Sequence, residues 1–162
     1  MKKRFELFRR GQIVLVNFEP QVGYEIKGLH YAIVVTKKDQ PYIGTVTVIP
    51  LTSKKGNHLL CLNDCIHSAL FKEIEKERKK FVELKNSNLC KEKIDDLIRL
   101  RTKYSDLQRT SYANLHQITT VDKSKVKIPF YDDKLIKPIK VSVEILDMID
   151  EELIRLYIGK KY

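Results

Sequence analysis

The sequence has no tryptophan, only three cysteines and no long hydrophobic run. The cysteines, Cys61, Cys65 and Cys90, are odd in number, and the basic N-terminal residues lack the apolar segment of a signal peptide. We therefore expect reduced thiols and no disulfide framework. No run of residues approaches the length of a membrane span. These absences predict a cytoplasmic protein with no membrane partner.

Acidic residues are also fewer than basic ones. The 162 residues contain 21 Asp and Glu against 31 Lys and Arg, which gives a formal charge of +10 and a pI near 9.4. Such a charge suits a polyanionic partner such as nucleic acid, although a solvated basic surface on an ordinary protein gives the same count. The length is that of one domain with a sizeable core, so we assign residues 1–162 to a single domain.

The most informative stretch lies between residues 10 and 53. Apolar and β-branched residues fill segments 13–18, 31–36 and 45–51, with Gly, Pro and Asn or Asp between them, which predicts three strands. The first connection is a polar loop with two glycines that ends at His30, and the third strand ends at Thr52 and Ser53. A histidine, two hydroxyls and charged loop residues could therefore converge on one phosphate.

The rest of the chain alternates helices and short strands. Helical spacing of apolar residues predicts helices at 69–84 and 91–104, separated by a polar turn at 86–88, and together they form an αα-hairpin. Strands are predicted at 58–62, 110–121 and 126–130. A last helix is predicted at 142–157, with Ser142 as its N-cap and Gly159 just beyond its end. We therefore predict a mainly β fold with helices (α+β), organised as a small SH3-like barrel.

Five ordered segments resemble one known family, the MazF/PemK toxin endoribonucleases. They are RGQI at 10–13, GYEIKG at 23–28, HYAIVV at 30–35, VIPLTS at 48–53 and LHQITTVDK at 115–123. Five blocks in order are far more specific than any one motif. The family core is shorter than this chain, so residues 67–108 look like a helical hairpin inserted into a MazF/PemK/CcdB-type barrel. The hairpin is either a packing element or a partner-binding element.

The resemblance implies the toxin of a type II toxin–antitoxin system. Its activity would be metal-independent and cofactor-free cleavage of single-stranded RNA, notably mRNA, by attack of the 2′-hydroxyl group. The family also implies a homodimer whose groove binds RNA, and an acidic cognate antitoxin that occupies the same groove. Two other classes of protein remain open. One is a non-catalytic nucleic-acid-binding barrel, for RNA or DNA, and the other is a gyrase-targeting toxin of the same fold.

The family's catalytic positions fall on His30 and Thr52. His30 stands where most of the family has arginine, and histidine can act as an acid or a base near neutral pH whereas arginine acts mainly as a fixed charge. The family's RNA-binding positions fall on Glu25, Lys27, Gly28, Ser53 and Gln117. Thr119 replaces a second arginine of the family, which leaves the RNA sequence preference undefined.

Each assignment has a structural alternative. His30 could be a structural histidine at a strand edge, and Thr52 and Ser53 could be turn residues that hydrogen-bond their own backbone. A second group has the composition of a zinc site: His58, Cys61, Cys65 and His67. Its spacing lacks a C-x2-C knuckle, so we expect no metal there and cysteines that behave as small apolar residues.

Overall fold

The computed structural model describes residues 4–84, 88–130 and 134–159. Within these residues, seven short strands form one antiparallel sheet: β1 (Ile13–Asn17), β2 (Leu29–Val34), β3 (Thr45–Thr52), β4 (Leu60–Cys61), β5 (Tyr112–Ala113), β6 (Thr119–Asp122) and β7 (Val126–Lys127). Three α-helices accompany the sheet: α1 (Cys65–Glu83), α2 (Asn88–Lys103) and α3 (Val143–Leu153). None of these helices, as far as the chain is described, is long and apolar enough to cross a membrane.

The strand order is β4-β5-β3-β2-β1-β7, and β6 pairs with the first half of β3. This confirms the predicted α+β class with an antiparallel sheet. The pairings seen among the described residues leave the sheet open, since β4 and β7 are two-residue strands that do not pair with each other. The small SH3-like barrel predicted from the sequence is therefore seen, among the described residues, as a sheet that does not close.

Pro50 divides the outer edge of β3. β6 pairs with Thr45–Val48, whereas β5 pairs only with Leu51 and Thr52. The Pro50 carbonyl lies between these two pairings and accepts a hydrogen bond from the Asn114 amide at 3.0 Å. The continuous strand predicted at 110–121 is therefore wrong: the chain forms β5, a 3-10 turn at Leu115–Gln117 and then β6. Proline cannot donate to a ladder, which accounts for the interruption.

Two hydrophobic clusters lie on opposite faces of the sheet, because successive side chains of a strand point to opposite sides. In β1, Ile13 joins the larger cluster with the helices, and Val14 joins the smaller cluster with Phe8 and Phe18. Both residues are fully buried. Successive side chains of β1 are therefore buried in different clusters, one on each face of the sheet.

The helical hairpin leaves the sheet between β4 and β5, which are neighbouring strands. The Leu62 amide donates to the Ser111 carbonyl at 2.9 Å, and the Ser111 amide donates to the Asn63 carbonyl at 2.6 Å, so the hairpin is joined to the sheet at a narrow neck. α1 begins four residues before the predicted start at 69. Its first turn buries Cys65 and Ile66 in the main core. The predicted turn at 86–88 falls mostly on residues 85–87, outside the described residues.

The last helix follows its sequence signals closely. The Ser142 side chain accepts a hydrogen bond from the Ile145 amide, which confirms the predicted N-cap. α3 continues as a single π-helical segment, Ile154–Ile158, and Gly159 follows with a φ of +74°, as expected for a helix end. At the other end of the fold, Gly11 has a φ of +82° and lies against Leu146 of α3, so this close approach requires glycine.

Candidate functional site

A cavity of about 690 Å³ lies between the sheet and the returning end of the helical hairpin. Three of the residues predicted from the sequence line it: His30, Thr52 and Ser53. His30 and Thr52 come from neighbouring strands. Ala32 of β2 pairs with Pro50 of β3. Two residues further in this antiparallel register, His30 lies opposite Thr52. The strand pairing therefore brings together residues that are separated in the sequence.

The His30 ring is held between two backbone carbonyl groups. Its Nε2 lies 2.8 Å from the Lys27 carbonyl oxygen, and its Nδ1 lies 3.3 Å from the Leu51 carbonyl oxygen. The shorter contact is a normal hydrogen bond in which Nε2–H donates, while the second lies at the long end of the range. Both partners are carbonyl oxygens, which only accept hydrogen bonds, so in the neutral ring the shorter contact assigns the proton to Nε2 and the Nδ1 lone pair faces the Leu51 carbonyl oxygen.

Thr52 ends β3, and its hydroxyl oxygen accepts a hydrogen bond from the Lys54 amide at 3.2 Å. The predicted alternative, a turn residue that binds its own backbone, thus describes one of the contacts of Thr52. The Thr52 hydroxyl group can still donate a hydrogen bond, because accepting one from the Lys54 amide does not use its own proton. Ser53, the next residue, is exposed at the cavity.

The other four predicted RNA-binding residues do not line this cavity. Glu25, Lys27 and Gly28 belong to the loop between β1 and β2, where the Glu25 carboxylate accepts a hydrogen bond from the Val22 amide at 3.2 Å. Gln117 lies at the end of the 3-10 turn and binds the same loop. Its role in the structure is to hold the loop backbone.

Gln117 makes two hydrogen bonds across more than ninety residues of sequence. Its side-chain oxygen accepts from the Ile26 amide at 2.6 Å, and its side-chain nitrogen donates to the Tyr24 carbonyl at 3.0 Å. One residue further along the loop, the Lys27 carbonyl accepts the proton of His30. The loop therefore connects Gln117 to the histidine through backbone groups.

Sequence reasoning missed the residues that the hairpin contributes. Lys103, Tyr104 and Arg109 line the cavity from the end of α2 and the segment that follows it, and Lys54 lines it from the end of β3. None of the four falls in a block that resembles the family. The only signal was the presence of basic residues near the second predicted helix.

An aromatic cluster attaches the hairpin to the sheet beside the cavity. Phe130 stacks on Tyr31 of β2 with ring centroids 6.2 Å apart, and Tyr104 meets Phe130 edge-on at 4.7 Å. Burial, with a smaller contribution from Tyr104, raises the pKa of Tyr31. The Tyr31 phenol thus stays neutral and forms part of the apolar wall.

The residues considered for zinc do not converge. Burial raises the pKa of the Cys65 thiol to about 11, so Cys65 is a protonated core residue. His67 stacks on Phe71 at 4.0 Å, and His58 lies beside His116 at 6.0 Å. In the described part of the chain, no three potential ligands form a group suited to a metal ion.

A larger cavity of about 840 Å³ lies between α1 and the segment that leads into α3. Its lining contains none of the predicted catalytic or RNA-binding residues, although it includes Cys65, and it mixes both signs of charge, for example Lys72 and Lys137 with Asp64 and Glu73. Both predicted catalytic residues therefore lie at the smaller cavity.

Comparisons with known proteins agree with the fold. In structure, the chain is similar to the crystal structure of MazF (Form-I) from Deinococcus radiodurans, with a TM-score of 0.51, 14% identity, and coverage of 96% of this chain and 100% of that chain. No curated protein sequence matches. The family model for the PemK-like, MazF-like toxins of type II toxin–antitoxin systems matches residues 9–157. The chain therefore belongs to the PemK-like, MazF-like toxin family of type II toxin–antitoxin systems.

Proposed function

We propose that this toxin is a metal-independent endoribonuclease that cleaves single-stranded RNA by attack of the 2′-hydroxyl group. The observation that carries the proposal is the shared cavity of His30 and Thr52, which come from facing positions on two paired strands. Both residues belong to segments that resemble the MazF/PemK family, to which the chain belongs, and this resemblance implies endoribonuclease activity.

In the proposed reaction His30 is the general base. The Nε2–H group stays bonded to the Lys27 carbonyl, and Nδ1 gives up its long contact with Leu51 to accept the proton of the 2′-hydroxyl group. The 2′-oxygen attacks the adjacent phosphorus, and the bond to the 5′-oxygen breaks. This leaving oxygen takes its proton from solvent in the cavity. The products are a 2′,3′-cyclic phosphate and a free 5′-hydroxyl group.

Thr52 stabilises the phosphate during this reaction. Its oxygen is occupied as an acceptor by the Lys54 amide, so the hydroxyl proton is directed to another acceptor, here a phosphoryl oxygen. Ser53 is the neighbouring donor, and the Lys54 ammonium group supplies positive charge at the same wall.

The loop between β1 and β2 binds RNA on the approach to the cavity. Lys27 and Tyr24 are exposed, and Gly28 has a φ of +79°, which lets the chain turn back into β2 at the histidine. Glu25 and Gln117 keep this loop ordered through contacts with its backbone amides. RNA bases are commonly recognised by such exposed aromatic and polar groups.

Family membership implies an antitoxin partner. We propose that this partner is acidic, that the toxin is a homodimer, and that both act in the cytoplasm. The charge of +10 favours an acidic segment as well as RNA. Light scattering of the purified chain, alone and with an acidic peptide from a neighbouring reading frame, measures the two assemblies.

The test of catalysis is incubation of the purified protein with a long unstructured RNA in EDTA. His30→Ala and Thr52→Ala should each lower cleavage by about 100-fold, in the range expected for loss of a base or of a phosphate donor. His30→Gln separates chemistry from structure, since its amide can still donate to a carbonyl but cannot accept the proton. The matched controls are His58→Ala and Thr120→Ala, which alter residues outside the cavity.

Defined fragments with 2′,3′-cyclic phosphate ends, lost in the cavity variants and kept in the controls, support the proposal. Intact RNA that is retained in a salt-dependent manner indicates a binding module instead. Trapped DNA breaks in the presence of gyrase, without RNA products, indicate the gyrase-targeting alternative.

A further inference from the structure

The cavity of His30 and Thr52 is built from two separate parts of the chain. One wall is the sheet, and the other is the stretch from Lys103 to Ser111 that follows α2 and leads back to β5. The second wall consists of the end of the inserted hairpin and the segment that returns from it to β5. The hairpin therefore takes part in forming the candidate site as well as in packing.

The hairpin wall is fixed in place by the aromatic cluster. Tyr104 packs edge-on against Phe130 at 4.7 Å, and Phe130 stacks on Tyr31, which follows His30 in β2. Deeper in the hairpin, Leu97 of α2 is fully buried in the main core. The end of α2 thus has a defined position relative to the histidine. A hairpin held only by the hydrogen bonds beside β4 and β5 would not have such a fixed position.

The charges on this wall favour a phosphate ligand. Lys103 and Arg109 line the cavity from the hairpin and Lys54 from the sheet, whereas Asp106 is the single acidic residue of the lining. Among the described residues, no hydrogen bond or ion pair engages the Arg109 guanidinium, which is exposed. An arginine offers two parallel N–H donors that match two phosphate oxygens.

We propose that the end of the inserted hairpin, together with the segment that returns from it to β5, is the second half of the RNA-binding site, and that Arg109 of this segment binds a backbone phosphate of the RNA next to the reacting one. This inference rests on the proposed ribonuclease function and adds a residue that the family segments do not contain. Lys103 assists as a second cation at the same wall. A cavity of about 690 Å³ falls in the range of small-ligand sites, which suits one nucleotide with its phosphate.

The test measures binding separately from cleavage. The probe is a fluorescein-labelled, mixed-sequence RNA with 2′-O-methyl groups throughout, which has no free 2′-hydroxyl and cannot be cut by the proposed reaction. Its anisotropy is followed at several salt concentrations with the full-length protein, Arg109→Ala, Arg109→Lys and Arg99→Ala. Arg99 is the matched control because it lies on α2, is 81% exposed, and is absent from the cavity lining.

Arg109→Ala should weaken binding at least tenfold at low salt. It should also reduce the slope of log affinity against log salt by about 0.7, the value for one phosphate contact on a single strand. Arg109→Lys should recover part of the loss, because lysine keeps the charge but not the bidentate geometry. Arg99→Ala should change affinity less than twofold, since it removes the same charge far from the site.

Equal binding by Arg109→Ala and Arg99→Ala overturns the inference, and so does an absence of RNA binding by the unaltered protein. Failure of the proposed function is a different result, namely no cleavage of unmodified RNA. If Arg109→Ala weakens binding while the unaltered protein cuts nothing, the hairpin site stands and the nuclease does not. Because Arg109 is exposed, thermal melting of all variants should be unchanged.

Discussion

Gln117 offers a test of how the loop near the cavity is held. Replacing Gln117 with alanine removes one hydrogen bond to the Ile26 amide and one to the Tyr24 carbonyl, but no buried apolar contact. The net contribution of an ordinary hydrogen bond is about 0.5–1.5 kcal/mol, so the two together contribute about 1–3 kcal/mol. This corresponds to about a 5- to 150-fold shift between the ordered loop and open conformations.

The effect should be local rather than global. Tyr24 is exposed, and Ile26 is half-buried and packs only at the margin of the smaller cluster, so the melting temperature should change little. Hydrogen exchange of peptide 22–28 should accelerate by the factor given above, and RNA cleavage should fall in parallel. Exchange and cleavage should change together because the Nε2–H group of His30 binds the Lys27 carbonyl of the same loop.

Two further variants sharpen this test. Gln117→Glu keeps an oxygen that accepts from the Ile26 amide but has no N–H group for the Tyr24 carbonyl, so it should lie between the unaltered protein and Gln117→Ala. Gln108→Ala is the control at an exposed glutamine. Equal exchange rates of the Ile26 amide in Gln117→Ala and in the control would show that Gln117 does not hold the loop.

Three other predictions concern stability and reactivity. Lys123 forms a buried ion pair with Asp39 at 2.8 Å, and Lys123→Met leaves the Asp39 carboxylate buried without a cationic partner. The free energy of unfolding, measured in urea, should therefore fall by about 3–5 kcal/mol. Adding Asp39→Asn should restore part of this loss. Cys65 should resist a thiol reagent at pH 8 until the protein unfolds, because burial raises its pKa to about 11, whereas the exposed Cys61 should react in the native state. Burial also raises the pKa of Tyr31, so as the pH rises past about 10 the phenol ionises in the unfolded state before it ionises in the native state. The free energy of unfolding should therefore fall as the pH rises. Tyr31→Phe should reduce this fall in urea titrations at pH 9 and pH 11.

The elements best predicted from the sequence are those whose pattern is local. β1, β2 and most of β3 follow from runs of β-branched residues between turns, and the two ends of α3 follow from Ser142 and Gly159. The segment 110–121 failed because its division depends on Pro50, sixty residues earlier, which interrupts the edge of β3. Such long-range pairing leaves no periodic signal in the segment itself.

The candidate site shows the same limit. His30, Thr52 and Ser53 were identifiable because they lie in segments that resemble the family, and the cavity contains all three. Arg109 was not identifiable, because its place at the cavity depends on tertiary contacts, namely the hydrogen bonds of Ser111 with Leu62 and Asn63 and the packing of Tyr104 on Phe130. Arg109 also lies outside the five segments that resemble the family, so the resemblance gives no assignment for it.

A histidine at the arginine position changes what the rest of the site must supply. A neutral imidazole can accept a proton but carries no charge, so it cannot balance a phosphate before the reaction begins. The positive charge must then come from other residues, and the cavity holds three cations outside the family segments, Lys54, Lys103 and Arg109. Lys103 belongs to the hairpin, and Arg109 belongs to the segment that returns from it to β5. In the proposed reaction, proton transfer at His30 and charge neutralisation by these three cations would therefore come from different elements of the fold.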